Sequence, residues 1–217
     1  MNITKLRVRN YKSFIDSGEI NIDSKLFALI GQNNTGKSAI MDAIQCMFPS
    51  SKKTITSLDF HKGESQIVIE AWFEGVTQTY LEEKLYEEKV TKQEEKLDEL
   101  LEKYNEKPTP ENKEKIEKQT KKIDDTRNDN YTKYKEKYDI QDDVFYIKLV
   151  AVKGKNVSKK FYITNEKEIS ETDIKQLLPQ LKVIPAIRDP KNESTAGANS
   201  YLKELIQMLD DEVQTNI

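Results

Sequence analysis

The sequence predicts an α/β fold that is interrupted by a pair of antiparallel helices. A glycine-rich turn joins the apolar run LFALIG to a segment with helical periodicity, within residues 26–48. Runs of alternating apolar and polar residues, typical of strands, precede and follow that turn. Between them, residues 79–138 contain no glycine, and 32 of these 60 positions are charged. We therefore divide the chain into three regions, residues 1–78, 79–138 and 139–217.

The first region is predicted to hold four strands and one helix. Three of its apolar runs alternate with polar residues, as expected of half-buried strands. The fourth is continuous and ends in glycine, which is typical of a strand buried on both faces. A helix is predicted from Ser38, and Pro49 ends its apolar pattern. The predicted strands are ITKLRVRNYKSF, GEINID, LFALIG and SQIVIEAWFEG.

The third region returns to an ordinary globular composition. Its apolar runs DVFYIKLVAV, KKFYIT and LKVIPAI predict three further strands. ETDIKQLLPQ predicts a short helix, with Glu171 and Asp173 in its first turn.

The charged region is predicted to form a helical hairpin. Apolar residues recur at spacings of three and four from Tyr86 to Tyr104 and again from Ile116 to Tyr138. Residues 105–112, NEKPTPEN, carry two prolines and supply the turn. The pattern favours two antiparallel coiled-coil arms of roughly 37 Å each, at 1.5 Å per residue. The alternative is a disordered charged tract, because such a composition also stays solvated without folding.

The glycine-rich turn matches a phosphate-binding loop, the Walker A pattern G-x-x-x-x-G-K-[ST], at every fixed position. Gly31 and Gly36 permit backbone angles and a close approach that a side chain would block. The amide groups of such a loop converge on an anion at the start of the next helix. Lys37 is the predicted catalytic residue and phosphate partner, and Ser38 the predicted Mg²⁺ ligand of bound ATP. The remaining loop positions predicted to touch the nucleotide are Asn33, Asn34, Thr35 and Ala39.

Composition excludes several classes of protein. The formal net charge is only -3 although 34% of the residues are charged, which argues against a strongly basic nucleic-acid-binding surface. Cys46 is the single cysteine, so no disulfide forms within the chain, and it is predicted to be a small buried residue. His61 has no neighbouring cluster with metal-ligand spacing. No signal peptide or membrane-spanning run is found, and we predict a cytoplasmic protein.

The surroundings of the loop resemble a specific group of ATPases. The opening ITKLRVRNYKSFIDSGEINIDSKLFALIGQNNTGKSAIMDAI is similar to the start of the ABC-type heads of RecF, the SMC proteins and the OLD (overcoming lysogenisation defect) nucleases. The paired Asn33 and Asn34 resemble the loop of OLD-like members. KVIPAIRDP resembles the IPAxR strand of OLD-family and Gabija GajA-type ATPases. The resemblance implies an ABC-type lobe whose mixed sheet surrounds the Walker A helix.

By this resemblance, Lys12 lies near the nucleotide and touches its base or α-phosphate, with a surface lysine as the alternative. Arg188 and Asp189 would sense the γ-phosphate or couple to DNA, or else form a surface ion pair. A complete head of this group also needs a strand ending in Asp-Glu and a Ser-Gly-rich signature, and neither is recognisable here. The helical pattern YLKELIQMLDDEVQ near residue 217 also resembles a truncated helix. We therefore expect a missing C-terminal ATPase lobe and a Toprim nuclease domain, with DNA bound by the full-length protein and a homodimer as the assembly. The alternative is a natural short protein whose second half is a separate chain.

Two other functions stay open on the sequence. One is a RecF- or SMC-like ATPase for DNA repair or chromosome organisation that carries no nuclease. The other is a nucleotide-responsive interaction module in which the hairpin docks a partner and hydrolysis plays no part.

Overall fold

A computed structural model of the protein describes residues 1–22, 27–51 and 53–183. Met1–Leu181 form one compact unit. Its strands are β1 (Asn2–Tyr11), β2 (Phe14–Asp16), β3 (Ile20–Asn21), β4 (Gln66–Glu74), β5 (Val144–Val152), β6 (Ser158–Tyr162) and β7 (Glu168–Ile169). Its α-helices are α1 (Lys37–Met47), α2 (Gln78–Leu81), α3 (Glu87–Glu106), α4 (Pro110–Tyr138) and α5 (Glu171–Leu177). A π-helical turn at Glu82–Tyr86 joins α2 to α3, and a 3-10 turn at Thr164–Glu166 precedes β7.

The described strands form one sheet in the order β2-β1-β4-β5-β6-β7, and β3 also pairs with β1. Every pairing among these strands is antiparallel. Val8 pairs with Ile69, Ile69 with Leu149, and Leu149 with Phe161. Because paired residues share a face of a sheet, these side chains form one apolar row across four strands.

The two faces of the sheet differ in polarity. Helix α1 packs on the apolar face, because its buried residues Ala43 and Met47 belong to the same core as the strand residues. The opposite face is polar and aromatic. There Glu70 accepts hydrogen bonds from Arg9 at 2.9 Å and from the Tyr146 hydroxyl at 2.8 Å. The alternation read from the sequence therefore placed the correct face against the core.

Helices α3 and α4 form the predicted antiparallel pair. The Thr109 side chain caps α4 by accepting from the Asn112 N–H at 3.2 Å, and Pro110 occupies the first helical turn. Polar contacts hold much of the interface, such as the Gln93 amide donating to the Thr126 hydroxyl at 2.9 Å. Val90 and Ile123 are the buried apolar residues of the helix pair between Glu87 and Arg127.

The three-region division of the chain remains a prediction.

Aromatic contacts attach the base of the helix pair to the sheet. The Tyr86 and Tyr134 rings stack with centroids 5.8 Å apart, and Tyr134 lies 6.4 Å from Tyr138. Tyr138 is fully buried and meets Phe145 of β5 edge-on at 6.0 Å. These contacts run from the start of α3 through α4 into the central strand β5. The α/β fold with an inserted helical pair is confirmed.

Two strand predictions differ from the structure. Phe27–Gly31 of the LFALIG run lie outside any strand, and the Ile30 side chain is 94% exposed. A strand needs a neighbour to satisfy its backbone, and no described strand pairs with this segment. In the LKVIPAI run, residues 181–183 are not in a strand, and residues 184–187 lie outside the described part of the chain.

Candidate functional site

An open cleft of about 590 Å³ lies where the glycine-rich loop meets the turn between β1 and β2. We call it the loop–turn cleft. One wall is the turn, residues 12–13, and the other is the loop with the first turn of α1. Eight residues line the cleft: Lys12, Ser13, Asn33, Asn34, Gly36, Lys37, Ser38 and Ala39. Seven of them are predicted site residues, so positions separated by about 20 residues in sequence meet at one place.

Gly36 fixes how closely the two walls approach. It is the N-cap of α1 and has a φ of +92°, in the left-handed region that favours glycine. A Cβ placed on Gly36 would lie 2.7 Å from Cζ of Phe14 and 3.2 Å from Oγ of Ser13. The residues of the β1–β2 turn therefore pack directly on the loop at Gly36, because glycine has no Cβ to occupy that space.

The loop leaves the start of α1 open to a ligand. No side chain caps the helix at Gly36, so the first-turn amides keep their positive electrostatic character at the cleft. The Lys37 ammonium donates to the Gly31 carbonyl at 2.7 Å and also contacts the Gln32 carbonyl. The Thr35 hydroxyl donates to Gln32 O at 2.8 Å and closes the loop. Lys37 is thus held beside the loop by weak acceptors that an anion can replace.

The turn that carries Lys12 is anchored through its backbone and its side chain. The Lys12 N–H donates to the Asp59 carbonyl at 2.7 Å, and the His61 ring Nδ1 lies 2.9 Å from the Lys12 carbonyl. The Lys12 ammonium is hydrogen-bonded to Asp42 of α1, whose other oxygen lies 2.9 Å from Lys53 Nζ. Burial alone would raise the pKa of Asp42, but the hydrogen bonds from Lys12 and Lys53 lower it below its ordinary value.

Comparison with known proteins identifies the family. A family model described as an AAA ATPase domain matches residues 1–216. The chain belongs to the AAA ATPase domain family. It is 38% identical over 81 residues to a DNA double-strand break repair Rad50 ATPase of Thermoplasma volcanium, covering 37% of this chain and 9% of that protein. It is 36% identical over 52 residues to a chromosome partition protein Smc of Bordetella petrii, covering 24% of this chain and 4% of that protein.

These findings confirm the coarser part of the predicted resemblance. The match to the family and the similarity to Rad50 and Smc support the RecF/SMC-like ABC ATPase group for this AAA ATPase domain. The chain spans less than a tenth of the length of either relative that it matches. Across the described ranges, no helix of the ATPase domain is both long enough and apolar enough to cross a bilayer.

The remaining predicted residues do not line the cleft of this ATPase domain, or lie outside the described part of the chain. Gly31 and Thr35 belong to the loop but are not among the residues that line the cleft, and the Thr35 hydroxyl bonds within the loop. His61 serves as a contact of the Lys12 backbone, and Cys46 is buried in the core. Arg188 and Asp189 lie outside the described residues.

Sequence reasoning missed three contributors to the site. Ser13 lines the cleft, Phe14 packs on Gly36, and Asp42 holds Lys12. A signal for Asp42 was present, since it lies four residues after Ser38 and therefore on the same side of α1. Its partner Lys12 is 30 residues away in sequence, so the pairing itself required the structure.

No carboxylate lines the cleft in the described parts of the chain, although Asp42 and Asp59 lie next to Lys12. Residues 1–22, 27–51 and 53–183 contain no group of three or more side chains that could hold a metal ion. The two carboxylates of β4 that the sequence offers lie elsewhere. Glu70 is held by Arg9 and Tyr146 on the polar face of the sheet, and Glu74 is exposed at the end of β4.

Proposed function

We propose that the loop–turn cleft binds ATP together with Mg²⁺, with the phosphates against residues 31–39. One observation carries this proposal: the uncapped start of α1 and the Lys37 ammonium meet at the same open cleft. Backbone amides and a lysine that face one concave space are the chemistry that a polyphosphate requires. Membership of the AAA ATPase domain family, which implies ATP binding, supports the same ligand.

Ser38 is the residue that would hold Mg²⁺. Ser38 lines the cleft next to Lys37 and carries a hydroxyl, and magnesium prefers such oxygen ligands combined with phosphate oxygens and water. Bound magnesium would neutralise phosphate charge and orient the β- and γ-phosphates. Because no described carboxylate lines the cleft, the chain's own contribution to the metal would rest on Ser38. Lys12, on the opposite wall, would contact the α-phosphate or the base.

At the level of the whole protein, we propose that this domain uses bound nucleotide to control DNA processing. Paired asparagines in the loop and the IPAIR segment favour an OLD- or GajA-like ATPase that regulates a Toprim nuclease as a homodimer. A second candidate is an ATPase for DNA repair or chromosome organisation without a nuclease, which the similarity to Rad50 and Smc favours. Reading the gene after the codon for Ile217 separates them, since an Asp/Glu-rich Toprim region selects the nuclease.

Lys37→Ala is expected to weaken ATP·Mg²⁺ binding by about 10- to 100-fold, which is the loss of one or two charge-assisted hydrogen bonds. The fold should persist, because the half-buried side chain hydrogen-bonds only to the Gly31 and Gln32 carbonyls of its own loop. Isothermal titration calorimetry on both forms measures the effect. Lys62→Ala removes the same charge from an exposed position outside the cleft and should bind like the wild type. Equal affinities of wild type and Lys37→Ala would remove the phosphate-binding assignment.

A further inference from the structure

A group of four charged side chains lies behind the turn that carries Lys12. Asp42 hydrogen-bonds to the Lys12 ammonium, and its other oxygen lies 2.9 Å from Lys53 Nζ. Asp59 Oδ1 lies 3.8 Å from Lys12 Nζ. Two carboxylates and two ammonium groups leave this group neutral. The side chains of Asp42 and Asp59 are only 19% and 14% exposed, so their charges are poorly screened and need these partners.

We infer that Asp42 is a positioning residue, which holds Lys12 in the orientation that contacts a nucleotide and sets nucleotide affinity through that lysine. The inference rests on the proposed function of the cleft and deepens it. Asp42 does not line the cleft, so it would act through Lys12 rather than on the ligand. It belongs to α1, the same helix whose first turn forms the facing wall of the cleft.

The backbone of the turn explains why an anchor is needed. Asn10 and Lys12 have φ values of 57° and 50°, in the left-handed region that non-glycine residues rarely adopt. Such a conformation persists only where the surroundings hold it. Backbone contacts hold it here: the Lys12 N–H donates to Asp59 O, the His61 N–H donates to Asn10 O at 2.9 Å, and the His61 ring contacts the Lys12 carbonyl. The Lys12 side chain is fixed by its hydrogen bond to Asp42, with Asp59 Oδ1 further away at 3.8 Å.

The pairing with Asp42 leaves Lys12 able to bind a phosphate. A lysine ammonium has three N–H donors, and the hydrogen bond to Asp42 occupies one of them. The Lys12 side chain is 31% exposed and lines the cleft, so its other donors can reach an anion there. A lysine held in place loses less side-chain freedom when a ligand arrives, which favours binding. The opposite case, in which Asp42 competes with the nucleotide for Lys12, predicts tighter binding when the carboxylate is removed.

A double-mutant cycle on the 217-residue chain tests the inference, with ATP·Mg²⁺ titrated by calorimetry. Lys12→Ala should weaken binding about tenfold, as expected for one lost charge-assisted hydrogen bond. Asp42→Asn should weaken it about three- to tenfold in the wild type and not at all in Lys12→Ala. Asp42→Glu, which keeps the carboxylate, should restore most of the affinity. Asp173→Asn is the matched control: it removes an aspartate paired with Lys137 at 2.5 Å, outside the cleft, and should leave affinity unchanged.

Each outcome supports the inference or overturns it. Equal losses from Asp42→Asn with and without Lys12 would show a general structural effect and overturn the inference. Tighter binding by Asp42→Asn, or an unchanged affinity, would overturn it as well. The proposed function would survive all three results, provided that Lys37→Ala still weakens binding. No ATP binding by the wild type, or equal binding by Lys37→Ala, would overturn the proposed function and the inference together.

Discussion

Gly36→Ala is expected to lower the affinity for ATP·Mg²⁺ by at least about 100-fold, because it disturbs both walls of the cleft at once. The new methyl group would lie 2.7 Å from Cζ of the Phe14 ring and 3.2 Å from Ser13 Oγ, so the Phe14 ring must shift away from the loop. The backbone at φ +92° is also unfavourable for alanine, at a cost of about 1–3 kcal/mol. Calorimetric titration measures the affinity, and thermal unfolding measures the change in stability.

Gly63 supplies the matched control for Gly36→Ala. Its φ of +91° is nearly the same, but a methyl group at this position would have no atom within 4 Å beyond its chain neighbours. Gly63→Ala therefore carries the backbone strain without the collision, and it should lose stability while binding nucleotide like the wild type. If Gly63→Ala lost binding as severely as Gly36→Ala, backbone strain rather than contact between turn and loop would control the site.

This chain alone is expected to bind ATP and to hydrolyse it no faster than background. Phosphoryl transfer depends on positioning and on stabilising charge around the transferred group. In the proposed site, Lys37 and Ser38 would supply the phosphate and metal contacts, but no described residue lining the cleft carries a carboxylate to orient the attacking water. A single well-placed charge in such sites is worth about 10³-fold or more in rate, so its absence should reduce turnover by orders of magnitude.

Steady-state phosphate release tests this expectation, with Lys37→Ala as the blank for contaminating ATPases. Release by the wild type should equal the blank. Robust release by the wild type, abolished in Lys37→Ala, would mean that a residue of this chain activates water. Glu70, Glu74 and Asp189 would then be replaced first.

The parts of the fold that follow from local patterns were predictable from sequence. The alternation of Ile67, Ile69, Ala71 and Phe73 indicated β4 and its buried face, because side chains alternate along a strand. The two prolines of residues 105–112 marked the break between the two helices, and α4 begins within that range at Pro110, with Thr109 as its cap. The loop at residues 31–38 was equally predictable, because its glycines and lysine are required by local geometry.

Features that depend on distant partners were not predictable. The run from Phe27 to Gly31 has strand-like composition, but the described residues offer no strand to pair with it. The helix pair relies on Arg127, which pairs with Glu82 and Glu94 at a position where the spacing suggested an apolar seam. The contact of Asp42 with Lys12 joins two elements whose proximity depends on the packing of α1 against the sheet.

Paramagnetic NMR can locate bound nucleotide on the protein. Mn²⁺·ATP would be added to isotope-labelled protein, and the paramagnetic broadening of backbone amide signals would be compared with a diamagnetic Mg²⁺·ATP sample. Signals of residues 31–39 and 12–14 are expected to broaden first, while those of residues 100–115 at the far end of the helix pair stay sharp. Broadening centred elsewhere, or none at concentrations of ATP that saturate binding, would contradict the assignment of the loop–turn cleft as the phosphate site.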